Sequence, residues 1–202
     1  MRDKRVLEMT TTGVFGAIIL FLSLVPAPWG LTWGFFRVAA GVEITIIHIP
    51  VIIGGIFGGK KVAIMLGFIF GLGSLLAALI YGGLFSVFFL NPLVSILPRI
   101  LFGYFIYLFY KLLKDLFKTD YWPSIAMALS FGLSTLAHSL MVLTMLYLFS
   151  HNSAAYGTAF GNANIVVFFG IVLGFNALLE IILAILVGTP IGMRIKDFKE
   201  AK

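Results

Sequence analysis

The chain has 202 residues, of which 61% are hydrophobic, 15% are aromatic and only 11% are charged. A soluble domain carries about 25% charged residues, so this composition excludes an ordinary soluble globular protein. The net charge of +6 is divided among short clusters beside apolar segments, which argues against a nucleic-acid-binding patch. Without any cysteine, the chain has no disulfide framework, thiolate metal site or cysteine nucleophile.

Six apolar segments follow one another along the chain, and each is compatible with a helix that crosses a membrane. A spanning helix needs roughly 20 mostly apolar residues, because the hydrocarbon core of a bilayer is about 30 Å thick. The predicted spans are residues 9–28, 44–58, 62–80, 93–113, 122–149 and 165–188. The sequence therefore predicts an all-α membrane protein, in which residues 1–202 form a single integral membrane domain of six transmembrane helices.

The basic residues give this bundle a predicted orientation. Twelve of the 14 lysines and arginines fall on one side of the six-helix arrangement: Arg2, Lys4, Arg5, Lys60, Lys61, Lys111, Lys114, Lys118, Arg194, Lys196, Lys199 and Lys202. The exceptions are Arg37 and Arg99. The positive-inside rule makes the basic side cytoplasmic, so both termini are predicted to lie inside the cell.

A glycine-rich stretch between the second and third spans resembles a phosphate-binding loop. Residues 54–61 read GGIFGGKK, but the Ser or Thr that would hold magnesium is missing, and no strand is predicted to precede the stretch. We interpret it as a helix end followed by a basic turn. The stretch therefore gives the chain no ATPase motif of its own, so the chain is not predicted to be an ATPase, and any ATP-driven transport requires a separate ATPase subunit.

Pairs of small residues four positions apart indicate where helices can approach closely, since such pairs drive helix association in lipid. Most of them predict packing inside the bundle, including Gly54 with Gly58 and Gly67 with Gly71. Gly13 and Ala17 lie near the cytoplasmic end of the first span, where a partner helix could dock.

Polar residues at membrane depth are the candidates for function, because they are costly there and need partners. Arg99 follows Pro92 and Pro98, which predict a broken start to the fourth span. His138 lies in the outer half of the fifth span. Asn176 and Glu180 lie four residues apart on the sixth, and therefore share a face.

Each candidate also has a structural interpretation. Arg99 could reach the outer interface, His138 could bond a neighbouring helix, and Glu180 could pair with Arg99 or remain a protonated structural residue. His48 is interpreted as structural. Trp33, with Trp29, is predicted to form an interfacial belt or to cover a site.

The candidates converge on the outer half of the predicted bundle. One fixed cation with several neutral donors and aromatic rings suits a small organic molecule that carries a carboxylate. No metal site or cofactor is predicted.

The six-span plan, the length and the glycine-rich second and third helices resemble the substrate-binding S component of energy-coupling-factor (ECF) vitamin transporters. Two stretches are similar to one branch of that family, which includes pantothenate carriers. They are residues 91–99, NPLVSILPR, and residues 176–180, NALLE, in a helix that ends at Thr189-Pro190.

The resemblance implies a substrate-binding subunit in the cell membrane of a bacterium. It captures vitamin from outside, beneath the loop between the first two helices, and then topples in the membrane to release the vitamin inside. The partners implied are a transmembrane T component and two cytoplasmic ATPase subunits. The implied ligand is pantothenate, and the predicted substrate-binding residues are Arg99, His138, Asn176, Asn91, Glu180 and Trp33.

The family presents a small-xxx-small motif on its first helix to the T component. The corresponding residues here are Gly13, Gly16 and Ala17, with glycine in place of the first alanine.

Other interpretations remain open from the sequence. The vitamin could be folate, cobalamin, riboflavin or a similar compound. A membrane haem protein could use His48 and His138 as its two axial ligands. An intramembrane hydrolase could use Ser134 or Ser139 beside His138, although the chain has no G-x-S-x-G turn.

Overall fold

The computed structural model describes residues 2–39, 42–82, 86–117, 123–161, 164–172 and 176–200. Helices dominate this part of the chain. They are α1 (Arg2–Leu24), α2 (His48–Gly58), α3 (Lys60–Tyr81), α4 (Pro92–Ser95), α5 (Leu97–Leu116), α6 (Pro123–Ser150), α7 (Ala154–Phe160), α8 (Ile165–Val172), α9 (Leu178–Leu183) and α10 (Thr189–Glu200). A 3-10 turn, Ser86–Leu90, precedes α4, and a π-helical turn, Ala184–Gly188, joins α9 to α10.

Five helical segments in the described residues are long and apolar enough to cross a membrane. They are Asp3–Leu24, Lys60–Tyr81, Pro92–Leu116, Ser124–Ser150 and Leu178–Asp197. The prediction of an all-α membrane protein is confirmed at this level. Helix α2 has only 11 residues, which extend over about 16 Å at 1.5 Å per residue. The count of six spans therefore stays a prediction.

The predicted second span was wrong at its start, because Ile44 and Thr45 belong to a strand. Strand β1 (Phe35–Ala39) pairs antiparallel with β2 (Val42–Thr45), with Phe35 opposite Thr45. Helix α2 begins only at His48. Three of the four residues in VEIT are β-branched, which fits a strand, but the apolar run that follows them hid this boundary from a hydropathy argument.

The hairpin formed by β1 and β2 carries a cluster of aromatic rings. Trp29 stacks on Phe36 at a centroid distance of 5.0 Å and meets the edge of Trp33 at 4.9 Å. The indole Nε1 of Trp29 donates to the carbonyl oxygen of Phe35 at 3.0 Å. These contacts fix the segment that precedes the hairpin against its first strand.

The predicted break near Pro92 and Pro98 is confirmed. The side chain of Asn91 accepts a hydrogen bond from the Leu93 amide at 3.0 Å and so caps α4, whose first residue is Pro92. Helix α4 ends after one turn, and α5 starts at Leu97. Arg99 therefore lies in the first turn of a new helix.

A close contact between α3 and α5 places that first turn inside the bundle. A Cβ on Gly71 would come within 2.8 Å of the Ile96 Cα, and a Cβ on Gly67 would collide with the Arg99 carbonyl oxygen. On α5, a Cβ on Gly103 would likewise collide with the Ala63 carbonyl oxygen. Glycine is required at these positions because the two backbones touch, as the small-residue spacing predicted.

The apolar core lies where α2, α3, α5 and α6 meet. Its most buried members include Ile52 on α2, Leu66 and Phe70 on α3, Phe102 on α5 and Phe131 on α6. A sharp turn joins α2 to α3 at Gly59, whose φ of 82° suits a residue without a Cβ. The glycine-rich stretch that resembled a phosphate-binding loop is this turn between two helices.

Candidate functional site

Arg99 is a buried cation held between aromatic rings. Its side chain is 5% exposed, and its guanidinium carbon lies 5.5 Å from the ring centre of Phe70 and 5.1 Å from that of Phe89. Nη1 donates to the Val94 carbonyl oxygen at 2.7 Å. Within the described residues, Nε is buried without a hydrogen-bond partner. The guanidinium therefore retains donor capacity inside the bundle.

His138 belongs to α6 and lies next to Arg99, which belongs to α5. Its ring centre is 4.7 Å from that of Phe102 and 5.5 Å from that of Phe70, so Phe70 contacts both polar side chains. The residue is 4% exposed, and neither ring nitrogen has a hydrogen-bond partner in the part of the chain that the structure describes. Buried polar atoms are normally bonded, so both ring nitrogens are open to a bond with a water molecule or a ligand.

Hydroxyl groups extend this unsatisfied polar surface. The Oγ of Ser134 and the Oγ1 of Thr135, one turn before His138, are buried and unbonded among the described residues. The Oγ of Ser74 on α3 is in the same condition. We name Arg99, His138, Ser134, Thr135 and Ser74, with the rings of Phe70 and Phe102, the polar core.

Unlike the unbonded polar atoms of the polar core, both carboxylate oxygens of Glu180 accept hydrogen bonds from other protein groups. Oε1 accepts a hydrogen bond from the Thr45 amide at 2.9 Å, and Oε2 accepts one from Ser139 Oγ at 3.4 Å. The side chain is 7% exposed and interacts electrostatically with Arg99 without forming an ion pair with it. The carboxylate oxygens of Glu180 thus bond Thr45 and Ser139, and the direct pair with Arg99, one of the two alternatives left open by the sequence, is not formed.

Asn176 and His48 lie near this region with different surroundings. The Oδ1 of Asn176, one turn before Glu180, is buried without a bond to the described residues. The His48 ring is fully buried near the backbone of Thr45 and Glu180, and neither of its nitrogens forms a well-aligned hydrogen bond with described residues.

The remaining predicted substrate-binding residues, Asn91 and Trp33, serve other contacts. Asn91 caps α4, where its backbone oxygen also accepts from Ser95 Oγ at 3.1 Å. Trp33 is 39% exposed in the hairpin cluster with Trp29. The structure thus brings Arg99 and His138 together, while the contacts described for Asn91 and Trp33 are with other residues. The side chain of Arg37 lies outside the described residues.

The three predicted docking residues do not share one face of α1. A Cβ on Gly13 would meet nothing within 4 Å, and Ala17 is exposed. Gly16 is buried, and a Cβ there would come within 3.0 Å of Ile69 Cδ1 on α3. Gly13 and Ala17 therefore form an outward surface, whereas Gly16 belongs to the packing inside the bundle.

Sequence reasoning missed the aromatic part of the polar core. Phe70, Phe89 and Phe102 gave no signal, because the chain has 21 phenylalanines and nothing distinguishes these three. Only the hydroxyl residues near His138 could be found from helical spacing. The combination of a buried guanidinium, neutral donors and aromatic walls can bind a small anion with an apolar body.

Comparisons with known proteins identify the family to which the chain belongs. The sequence matches the family "ECF transporter, substrate-specific component" over residues 7–192. The chain therefore belongs to the family of substrate-specific components of ECF transporters and is a transporter subunit of the membrane. It is also 25% identical over 207 aligned positions to the pantothenic acid transporter PanT of Lactococcus lactis subsp. cremoris (strain MG1363), covering 95% of this chain and 94% of that protein.

Proposed function

We propose that this chain is the pantothenate-binding subunit of an ECF importer. The observation that carries the proposal is the buried Arg99 guanidinium, which keeps an unbonded donor beside the unbonded ring nitrogens of His138. A buried charge is costly unless an opposite charge or several hydrogen bonds compensate for it. Glu180 compensates only at a distance, so an anionic ligand is the partner that the site favours.

Pantothenate has the groups that this site can bind. Its single carboxylate suits the Arg99 guanidinium, which forms strong charge-assisted hydrogen bonds to such groups. Its amide and two hydroxyls can bond the His138 ring, the Asn176 amide and the nearby hydroxyls. Its geminal methyl groups suit the rings of Phe70 and Phe102, which flank His138.

The similarity to PanT supports the choice among vitamins. That relative is a pantothenic acid transporter by its name, and it aligns with nearly the whole of this chain. An aromatic-walled site with a single arginine is also less suited to riboflavin, which carries no carboxylate, than to a monocarboxylate.

We further propose that the hairpin end of the bundle faces the outside of the cell, with the termini and the Lys60–Lys61 turn in the cytoplasm. The support is the distribution of basic residues. Because the chain has no cysteine, single cysteines at positions 61 and 28 can be labelled selectively. Position 28 should react with an impermeant thiol reagent in intact cells and position 61 should not, and the opposite result contradicts the orientation.

The vitamin would reach the cytoplasm through separate subunits. We propose a transmembrane T component and two ATPase subunits as partners, with Gly13 and Ala17 of α1 on the docking face. Both residues are outward, and small residues let a partner backbone approach closely.

Calorimetric titration of the detergent-purified protein tests the ligand. Pantothenate should bind tightly with a stoichiometry of one, and riboflavin, folate and cobalamin should not compete at equal concentration. Mass spectrometry of small molecules released from the unwashed protein should find pantothenate. Tight binding of another vitamin, with none of pantothenate, rejects the proposal while leaving the family assignment intact.

A further inference from the structure

Glu180 connects three separate parts of the molecule. Its carboxylate accepts hydrogen bonds from the Thr45 amide at the end of β2 and from Ser139 on α6, while Glu180 itself lies on α9. Both oxygens are bonded to protein, in contrast to the Nε of Arg99 and the ring nitrogens of His138, which have no partner among the described residues. The carboxylate therefore has less capacity for a ligand than its neighbours have.

The Thr45 amide depends on this carboxylate. At this end of the hairpin, Ile46 donates to the Gly34 carbonyl oxygen and Phe35 donates to that of Thr32, so the strand pairing leaves the Thr45 N–H to Glu180. Thr45 is buried, and a buried backbone donor requires an acceptor. The foot of the hairpin is thus held by a side chain 135 residues further along the chain.

The same carboxylate lies next to the polar core. Ser139, its second partner, directly follows His138 on α6. The Thr45 hydroxyl continues the connection in the other direction, since it accepts from the Ile47 amide at 3.2 Å where α2 is about to begin. The Glu180 carboxylate therefore links the foot of the hairpin by hydrogen bonds to the helix that carries His138.

We propose that Glu180 is a positioning residue that holds the foot of the hairpin beside the polar core and sets how long the vitamin stays bound, without contacting the vitamin. The inference rests on the proposed binding of pantothenate in the polar core. Glu180 was predicted from the sequence as a substrate-binding residue, and its two protein partners give it this different role.

Two conservative variants of Glu180 distinguish the effect of side-chain length from the effect of its negative charge. Glu180→Asp keeps the carboxylate but withdraws it by one methylene, so the bond to the Thr45 amide should be lost. Glu180→Gln keeps the reach and an acceptor oxygen for that amide, and it removes a negative charge near Arg99. Geometry should therefore be preserved by Gln and disturbed by Asp.

The hairpin has its own reporter. Trp29 and Trp33 lie in its aromatic cluster, and Trp122 is the one other tryptophan in the sequence. In a Trp122→Phe background, acrylamide quenching of fluorescence reports the exposure of the hairpin without any ligand. Stopped-flow mixing with pantothenate then gives the association and dissociation rate constants separately.

We expect Glu180→Asp to raise the quenching constant and to raise the dissociation rate constant by about tenfold or more, the scale of one lost buried hydrogen bond. Its association rate constant should change by only a few-fold, since the ligand contacts remain. Glu180→Gln should match the parent in quenching and dissociate no faster. Ser139→Ala, which leaves the Thr45 bond intact, should give a quenching constant and a dissociation rate constant between those of Glu180→Asp and Glu180→Gln.

Two results overturn the inference. One is Glu180→Asp with parental quenching and dissociation, and the other is Glu180→Gln losing affinity while Glu180→Asp keeps it, which would assign the charge a direct contact with the ligand. Failure of the parent protein to bind pantothenate rejects the proposed function instead. In that case ligand-free quenching still decides whether Glu180 holds the hairpin, because it requires no vitamin.

Discussion

Small residues four positions apart occur both in the interface between α3 and α5 and on the outward face of α1. Only the first of these two surfaces is packed against another helix of the bundle. On α3, a Cβ at Gly67 would collide with the Arg99 carbonyl oxygen, so a helix already occupies that small-residue surface. On α1, a Cβ at Gly13 would meet nothing within 4 Å. Spacing identifies a surface that permits close approach, and only the fold shows whether it is occupied.

The two helices also differ in burial. In the apolar stretch of α1, 17% of the residues are buried, compared with 44% in α3. Lipid can cover most of the exposed apolar side chains of α1, and the small residues Gly13 and Ala17 leave a shallow groove among them. Replacing a small residue by a large one should therefore impair folding in the interface between α3 and α5. On the outward face of α1, the same change should leave folding intact and impair transport.

The largest effect is expected from Gly67→Leu. The added side chain must displace the backbone of α5, which costs about 1–3 kcal/mol or more and moves Arg99. We expect loss of folded protein in size-exclusion chromatography and loss of pantothenate binding. The same change at Gly13 is the matched control and should leave both intact. Equal stability of the two variants would contradict the assigned packing.

Arg99→Ala should have the next largest effect, with the fold retained. Loss of one partner of a desolvated ion pair costs about 2–5 kcal/mol, or roughly 30- to several-thousand-fold in affinity. Arg99→Lys should recover only part of the affinity because the planar guanidinium is lost. Isothermal titration with pantothenate measures both, with Arg194→Ala, an exposed arginine on α10, as the control.

His138→Ala should weaken binding by less. The ring would contribute about one neutral hydrogen bond, worth about 0.5–1.5 kcal/mol, which corresponds to about a 2- to 13-fold change in affinity. Ser130→Ala provides a control on the same helix, because its hydroxyl already bonds the Ala126 carbonyl oxygen at 2.7 Å. If His138→Ala weakens binding as much as Arg99→Ala, the two residues act as one unit and the simple assignment is wrong.

The smallest effect on binding is expected from Ala17→Leu, which should leave calorimetric affinity unchanged. If α1 is the docking face, this variant should nevertheless block uptake of radiolabelled pantothenate by cells that contain the complete transporter, since a bulky side chain prevents close approach. Normal uptake by Ala17→Leu would remove this face of α1 from the proposed interface.

Much of the fold followed from the sequence because lipid imposes simple constraints. Long apolar segments and the two prolines before Arg99 predicted most helices and the break between α4 and α5. The hairpin did not follow, since its second strand continues into the apolar run of α2 and hydropathy cannot separate the two. The spacing also failed to show that Gly16 packs inward against Ile69.

The candidate site could be predicted only in its polar part. Arg99 and His138 were detectable because ionisable residues are rare at membrane depth. The role of Glu180 was not, because its partner is a backbone amide far away in sequence, which no side-chain pattern records. Phe70, which contacts both Arg99 and His138, is similarly defined by tertiary packing alone.

The most direct test of the central claim, that Arg99 binds the carboxylate of pantothenate, combines a protein change with a ligand change. Pantothenol carries a hydroxymethyl group in place of the carboxylate and keeps the rest of the molecule. We predict that the wild-type protein binds pantothenol roughly 30-fold or more weakly than pantothenate, the scale of a lost ion pair, and that Arg99→Ala binds the two equally. If Arg99→Ala discriminates between them as strongly as the wild type does, the carboxylate is bound elsewhere and the central claim is contradicted.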